Sequence, residues 1–438
     1  MIVSKPVEET GFFWLPEDPE KRFPGFLRIS ESGAVTLEMT SLGHGFVGAR
    51  SLGDPWMGGD LIEFKRIIGV TRIGIVTLEG CSERNTNAEF VSGLSTSIFS
   101  AKWAFIGVGY GKENDIVFSE FQFSLKGMNK WLGKSGIMVT HNEDKSVSIN
   151  YSLPEPVVIK ISDEFQMKFN FSSNVPTGFN IDEAKITQKT FVVFSSKSEK
   201  PLDDFLSLAH KIRNFFSFVT TRTAFIDSAS GYSDEIKRHG GRKDYRVPVK
   251  IYFREFPYSD EYRNARSDEM LFVFLEIRER VEDVFRKWLR IYDSHESILN
   301  RYFLSNLDYT MDLERRFLLL VEGMAAIHKE SYNPEEVYLV NRLKEMIEPF
   351  QRHFGSDDEV DCFAKKIVSA RNYLAHLYRR NGDFVPDTDE LFELNSKLEA
   401  LFQLFLLRSV GIENEHIDRI VKENARLRGN LERKAGRT

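Results

Sequence analysis

The chain has 438 residues, a length that suits two or three domains rather than a single core. Its formal net charge is -6, which argues against a protein that coats nucleic acid non-specifically, although a local basic rim could still bind RNA. The two cysteines, Cys81 and Cys362, are too few and too far apart for a disulfide scaffold, and their scarcity suits a reducing cytoplasm.

Residues 1 to about 200 show the alternation of apolar and polar side chains that indicates β-strands. Phe165, Met167, Phe169 and Phe171 alternate with polar residues, which is the period-two pattern of a sheet with one buried face. Runs of Gly, Asn, Asp and Ser separate such segments, as hairpin turns require. We therefore predict a mostly antiparallel N-terminal domain, folded as a sandwich or a barrel.

The pattern changes twice after these strands. A helix is predicted near residues 202–218, because Phe205, Leu208 and Ile212 recur at helical spacing and acidic residues open the segment. The polar stretch 227–246 is rich in Gly, Lys and Arg and is predicted to be a long exposed loop.

From about residue 276 onward, apolar residues repeat with the period of an α-helix, which predicts an antiparallel helical bundle. The fold class is therefore α+β. We divide the chain into a β-rich domain over residues 1–270 and an all-α domain over 271–438. The candidate helices cover residues 278–291, 312–329, 334–350, 359–377, 389–410 and 413–428.

No segment of the sequence predicts export or membrane insertion. Residues 1–11 lack the apolar core of a secretory signal. The longest apolar run, 317–327, is interrupted by Glu322 and is shorter than the about 20 residues that a span needs. We therefore expect a soluble cytoplasmic protein that has no membrane partner.

The segment 370–377, Ala-Arg-Asn-Tyr-Leu-Ala-His-Leu, lies near the end of a predicted helix. Asn372 and His376 are four residues apart and share a helix face, which the long side chain of Arg371 can also reach. Histidine moves protons near neutral pH and arginine stays charged beside phosphate oxygens, so the set suits RNA cleavage without a metal. A symmetric dimer would supply two copies, one as acid and one as base.

An arginine and a histidine at this spacing also arise by chance, as a salt-bridge arginine and a half-buried histidine on a helix surface. The surrounding sequence adds a resemblance. The hexapeptide 371–376 resembles the arginine–histidine signature of HEPN domains, and residues 314–324 resemble the acid-bearing early helix of such bundles. Residues 11–17, Gly-Phe-Phe-Trp-Leu-Pro-Glu, and 24–27, Pro-Gly-Phe-Leu, resemble the opening of the ApeA family. ApeA proteins pair a β-rich N-terminal domain with a C-terminal HEPN domain and act in bacterial anti-phage defence.

The resemblance implies roles for individual residues. Arg371 and His376 would be the catalytic pair, and Asn372 would orient the histidine or the phosphate. Glu322 would be the supporting acid from a neighbouring helix, with Glu314 as its rival. HEPN nucleases are generally metal-independent and commonly dimeric, so we expect no cofactor and a homodimer.

Two further arginines follow the motif by about one turn. Arg379 and Arg380 are candidates for RNA contacts, and the alternative is a basic helix end that faces the helix dipole. No closely spaced histidines or cysteines indicate a metal site.

The leading hypothesis is an anti-phage endoribonuclease of the abortive-infection type, whose N-terminal domain senses infection or restrains the nuclease. RNA is the expected substrate, and a phage protein is a candidate trigger. The alternative is a HEPN module that binds RNA or protein without catalysis, with the β-rich domain as the phage sensor. A purely structural helical domain is the third possibility.

Overall fold

The computed structural model divides into two compact units. It describes residues 1–433 except for 2, 4, 43–62, 89–93, 177–181, 183, 242, 256–265, 308–310, 332–336 and 377–383. The β-rich unit comprises Met1–Asn129, Lys134–Arg213 and Ala224–Asp260. The helical unit comprises Lys130–Gly133, Asn214–Thr223 and Glu261–Thr438.

The β-rich unit is built from antiparallel strands. Their bounds are β1 (Val7–Trp14), β2 (Phe23–Ile29), β3 (Val35–Leu42), β4 (Glu63–Thr71), β5 (Gly74–Ala88), β6 (Leu94–Ile106), β7 (Val117–Leu125), β8 (Ile137–His141), β9 (Val147–Tyr151), β10 (Val157–Lys160), β11 (Phe165–Asn174), β12 (Thr187–Pro201), β13 (Ile226–Tyr232), β14 (Lys237–His239), β15 (Asp244–Arg246) and β16 (Val249–Phe253).

The main sheet closes on itself at one end. In the described part of the chain its strand order is β10-β11-β12-β7-β13-β16-β6-β3-β2-β1-β4-β5, and β5 pairs in addition with β6. The strands from β6 to β5 therefore form a closed antiparallel barrel, while those from β16 to β10 extend from it as an open sheet. The prediction of a β-rich N-terminal domain is confirmed, and its fold is the barrel-like alternative.

Phe13 shows how the barrel packs inside. Its side chain is fully buried, and two glycines on the flanking strands lie against its ring. A Cβ atom added at Gly25 would lie 2.8 Å from Phe13 Cδ2, and one added at Gly69 would lie 2.3 Å from Cδ1. Any side chain at Gly69 would therefore displace the ring, since protein cores are close-packed.

The stretch 227–246 is not a loop, so that prediction was wrong. Most of β13 belongs to it and lies between β7 and β16, and β14 pairs with β15 as a separate hairpin. Packing against a neighbouring ring explains the glycine at position 231 of β13. A Cβ atom added at Gly231 would lie 2.4 Å from Phe118 Cδ1, so the Phe118 ring covers the strand at this point.

The other elements are helical. Their bounds are α1 (Met128–Leu132), α2 (Leu202–Thr220), α3 (Phe274–Ile277), α4 (Val281–Ser294), α5 (Glu296–Leu307), α6 (Leu313–Ser331), α7 (Leu339–Ile347), α8 (Gln351–Phe354), α9 (Asp357–His376), α10 (Thr388–Ser409), α11 (Asn414–Glu423) and α12 (Ala425–Glu432). Short 3₁₀ turns occur at Ser267–Glu269, Arg278–Arg280 and Glu348–Phe350.

The helical C-terminal region and the helix near residues 202–218 are thus confirmed, but some bounds and elements differ. The helix predicted over residues 334–350, for example, begins as α7 at Leu339. Helix α5 was not predicted. The single helix predicted over residues 413–428 is two helices, because Asn424 ends α11 and its side-chain oxygen accepts a hydrogen bond from the Leu427 amide at 2.9 Å. That bond caps the first turn of α12.

An aromatic cluster and a long central helix make up much of the helical core. Trp131 is fully buried, and the ring centroids of Phe216, Phe274 and Phe215 lie 5.0, 5.8 and 5.9 Å from its own. Helix α10 is buried along most of its length and packs against α6. Helices α6, α7 and α9 also pack against one another, and this group holds the candidate site.

Candidate active site

The motif of residues 371–376 forms the end of α9. This helix begins with a capping box, in which the Ser356 amide donates to the Glu359 carboxylate at 2.8 Å and the Glu359 amide donates to the Ser356 hydroxyl at 3.4 Å. Its buried side chains recur at helical spacing and are Val360, Phe363, Ala364, Ile367 and Ala370. Because α9 packs against α6 and α7, the position of its last turns is set by these contacts.

The motif residues lie where this buried face meets solvent. Arg371 is half-buried, whereas Asn372 and His376 are exposed. Arg371 Nη1 donates a hydrogen bond to Asn372 Oδ1 over 3.3 Å. His376 is the last residue of α9. The last two turns of α9 thus carry a guanidinium, an amide and an imidazole.

A cleft of about 690 Å³ opens beside Arg371 and Asn372. Its other walls come from α6 and from the start of α7. Apolar side chains such as Val321 and Val368 share the lining with the carboxylate of Glu322. The cleft therefore combines an apolar surface with charged groups of both signs.

The two acids that were rivals from the sequence occupy different places on α6. Both side chains are exposed, but Glu322 lines the cleft together with Arg371 and Asn372, whereas Glu314 does not belong to this lining. The eight residues that separate the acids correspond to about 12 Å along a helix axis. Of the two, Glu322 is the one placed where a carboxylate can act together with Arg371.

His376 differs from the other histidines of the helical unit. Each of those lies 2.5–3.2 Å from a carboxylate oxygen: His295 from Glu330, His328 from Glu345, His353 from Asp418 and His416 from Glu276. Within the described ranges, His376 has no hydrogen-bond or ion-pair partner, and it is exposed. An imidazole without a structural contact can exchange a proton with a bound molecule.

Three polar residues of the cleft were not predicted from the sequence. Tyr338 immediately precedes α7, and Asn341 and Arg342 lie in the first turns of that helix. Arg342 Nε donates to the Val337 carbonyl at 2.8 Å, and its Nη1 donates to the Ala325 carbonyl of α6 at 3.1 Å. These bonds fix the start of α7 against α6. No local pattern indicates them, because they join segments that come together only in the folded bundle.

Arg379 and Arg380, the candidates for RNA contacts, lie outside the described residues. Phe384 is the first described residue after 377–383 and contacts α9, since its amide donates a hydrogen bond to Ser369 Oγ at 2.9 Å. The ammonium group of Lys366 also lies 5.1 Å from the centroid of the Phe384 ring. The described residues on both sides of 377–383 therefore belong to α9 or contact it.

Neither a metal cluster nor a membrane helix is found in the described ranges. No three His, Cys, Asp or Glu side chains there are grouped so that they could hold a metal ion. Likewise, no described helix combines the length and the apolar character needed to cross a membrane. Both cysteines are free, and burial raises the pKa of the Cys81 thiol to about 12.

Comparisons with known proteins place the two regions in one family. The family model for an Apea-like HEPN domain matches residues 258–416, which include α4 to α10 and the motif. The model for ApeA N-terminal domain 1 matches residues 8–288, more than half of the 438 residues. The chain therefore belongs to the ApeA family of anti-phage proteins and carries a C-terminal HEPN domain. No curated protein and no solved structure matches it.

Proposed function

We propose that this protein is an endoribonuclease that cleaves RNA without a metal ion during defence against phage. The observation that carries the proposal is the placement of Arg371, Asn372 and Glu322 around one cleft, on and beside the helix that ends at the exposed His376. The chain's membership of a family of anti-phage HEPN nucleases supports the same activity.

In the proposed reaction, the ribose 2′-oxygen attacks the adjacent phosphorus atom. A neutral imidazole takes the proton from the 2′-hydroxyl, and an imidazolium gives a proton to the departing 5′-oxygen as its bond to phosphorus breaks. The products are a 2′,3′-cyclic phosphate and a 5′-hydroxyl end. Arg371 stabilises the negative charge that builds up on the phosphorane oxygens.

One copy of His376 cannot be both base and acid in the same step. We therefore propose a homodimer in which two α9 helix ends face one RNA strand. In one protomer His376 would act as the base, and in its partner His376 would act as the acid. This arrangement predicts that a dimer with one intact and one His376→Ala protomer is strongly impaired.

Asn372 and Glu322 act through Arg371 in this scheme. The hydrogen bond from Arg371 to Asn372 limits the orientations of the guanidinium, which helps this planar group to match phosphate oxygens. Glu322 adds a carboxylate to the same cleft and favours a guanidinium directed into it. Arg379 and Arg380 are proposed as contacts to the RNA backbone.

We assign control of the nuclease to the β-rich domain over residues 1–270, with the HEPN domain over 271–438. In this proposal the N-terminal domain restrains the nuclease until infection, and a phage protein acts as the trigger. Cleavage of RNA in the cytoplasm would then stop phage growth by abortive infection.

The test compares wild type, His376→Ala and His141→Ala on total bacterial RNA in the presence of EDTA. His141 is also an exposed histidine, but it belongs to β8 in the other unit, so it controls for general effects of the substitution. We expect fragments ending in 2′,3′-cyclic phosphate from wild type and His141→Ala. His376→Ala should cleave about 100- to 10,000-fold more slowly, which is the usual contribution of general acid–base catalysis.

The protein could be inactive until its trigger is present, and repeating the assay in lysates of phage-infected cells tests this case. Cleavage by His376→Ala at the wild-type rate would refute the catalytic role of this histidine. If wild type cleaves neither alone nor in infected lysate but still binds RNA or a protein, the HEPN domain is a binding module.

A further inference from the structure

Tyr338 is an exposed aromatic side chain at the edge of the cleft that holds Arg371. Its exposed fraction is 85%, the highest among the large apolar side chains of the described residues. Among the residues that the structure describes, the Tyr338 hydroxyl group has no hydrogen-bond partner. The side chain of Tyr338 also does not cap α7. Neither the fold nor the proposed chemistry of RNA cleavage accounts for this ring.

The backbone that carries Tyr338 is nevertheless held firmly. Its carbonyl accepts hydrogen bonds from the amides of Asn341 and Arg342, at 2.9 and 3.1 Å. The side chain of Arg342 then ties this helix start to α6 through the Ala325 carbonyl. An exposed ring on a fixed backbone is suited to receive a planar partner, since only the side-chain torsions of the ring remain to be ordered on binding.

The cleft has the size and the chemistry of a site for one nucleobase. Its volume of about 690 Å³ falls in the range of roughly 300 to 1,000 Å³ that is typical of small-ligand sites. Leu339 and Val368 offer an apolar surface, and the exposed amides of Asn341 and Asn372 can both donate and accept hydrogen bonds. Such a lining matches a base, which has flat faces and a polar edge.

We propose that this cleft is a base-recognition pocket in which Tyr338 stacks on an unpaired nucleobase and Asn341 contacts its edge. The proposal rests on the proposed RNA cleavage, because Arg371 at the cleft would hold the phosphate next to that base. It identifies the substrate as single-stranded RNA, since a base within a duplex is stacked and paired and cannot enter a side pocket. Tyr338 and Asn341 would set the cleavage preference, and Arg342 would be a positioning residue.

The first experiment measures cleavage of short single-stranded and fully paired RNAs by full-length wild type, Tyr338→Ala, Tyr338→Phe and Tyr245→Ala. Tyr245 is an exposed tyrosine of β15 in the other unit and serves as the matched control. Loss of one base-stacking contact should raise KM of Tyr338→Ala for single strands by roughly 5- to 150-fold, with kcat little changed. Tyr338→Phe and Tyr245→Ala should resemble wild type, and duplex RNA should be cut poorly by all.

Because Tyr338 is largely exposed, its removal should leave the thermal unfolding midpoint unchanged, which separates lost binding from lost folding. The second experiment sequences the RNA ends produced by Asn341→Ala. We expect a weaker base preference at one position beside the cut, because contacts to base edges carry the sequence information.

The outcomes separate this inference from the function on which it rests. If wild type cleaves RNA and Tyr338→Ala does so with the same KM, the pocket is refuted while the nuclease stands. If wild type cuts duplex and single strands equally, the pocket is refuted as well. If wild type neither binds nor cleaves RNA, alone or in infected lysate, both proposals fail.

Discussion

Phe13 on β1 and Gly69 on β4 lie so close together that no side chain fits between them. A Cβ atom added at Gly69 would lie 2.3 Å from the ring carbon Cδ1 of Phe13, and Phe13 is fully buried. The phenylalanine belongs to the segment at residues 11–17 by which the N-terminal domain resembles the ApeA family. Its place in the barrel gives this segment a structural role, since the ring fills the space that two glycines leave open.

A substitution at Gly69 should therefore weaken the barrel. We expect Gly69→Ala to lower the free energy of unfolding by about 1–3 kcal/mol, the usual cost of overpacking a core. Gly429→Ala is the matched control, because no atom lies within 4 Å of its added Cβ and it sits inside α12. There the alanine should stabilise by about 1 kcal/mol through helix propensity. Urea unfolding measures the free energy of unfolding of both variants. Equal changes in Gly69→Ala and Gly429→Ala would contradict the packing argument.

Glu399 provides a second test, within the helical bundle. This buried carboxylate on α10 lies 2.5 Å from Arg316 Nη2 of α6 and 3.7 Å from Arg426 Nη2 of α12. Its removal ends both contacts, but the two arginines are partly exposed and stay solvated, so Glu399→Ala should lower the free energy of unfolding by about 1–3 kcal/mol. Asp283→Ala, which removes the exposed pair with Lys287, should cost less than about 1 kcal/mol. A cost for Glu399→Ala as small as that of Asp283→Ala would show that the buried carboxylate is dispensable.

His210 on α2 should make the stability depend on pH. Burial lowers its pKa to about 4, and the nearby positive charge of Arg213 acts in the same direction. An unfolded chain titrates its histidines near pH 6.5, so between pH 6.5 and 4 the unfolded state binds a proton that the folded state excludes. The free energy of unfolding should therefore fall as the pH is lowered through this window, by about 3 kcal/mol in total.

The variant His210→Gln isolates this contribution, because glutamine does not titrate. Urea unfolding of wild type and variant at pH 7 and pH 4.5 gives the two pH dependences. We expect a smaller loss of stability in His210→Gln, and identical losses would show that other groups cause the whole effect.

Glu322 and Glu314 offer a comparison within one helix. Only Glu322 lines the cleft with Arg371, so Glu322→Gln should reduce kcat/KM for RNA cleavage, by roughly 10-fold if the carboxylate orients the guanidinium. Glu314→Gln makes the same substitution at an exposed position of α6 outside the cleft and should leave cleavage unchanged. A loss of cleavage in Glu314→Gln alone would reverse the assignment.

The parts of the fold that depend on periodic sequence were predictable. Alternation predicted the β-rich domain, and the helical period predicted α6, α9 and α10. The set of Arg371, Asn372 and His376 was singled out because Asn372 and His376 share a helix face and because the hexapeptide resembles the HEPN signature.

Features that depend on tertiary contact were not predictable. Strand β13 resembles a loop in sequence because its small residues show no alternation, and its Gly231 lies against the Phe118 ring of the neighbouring strand β7. Closure of the barrel depends on the pairing of β5 with β6, which the hairpin signals do not distinguish from a sandwich. Likewise, the place of Tyr338 at the cleft follows from the hydrogen bonds of Arg342 to Val337 and Ala325, which no local pattern encodes.

The helical unit takes its residues from three separate stretches of the chain. Trp131 comes from the first stretch and Phe215 and Phe216 from the second, and these rings pack with Phe274 in one core. A fragment that begins at residue 261 would lack three large aromatic side chains, each of which typically contributes about 3–5 kcal/mol when buried. We therefore expect a fragment that begins at residue 261 to be less stable than the same helices in the full chain, and a graft of this unit into another protein should include both upstream stretches.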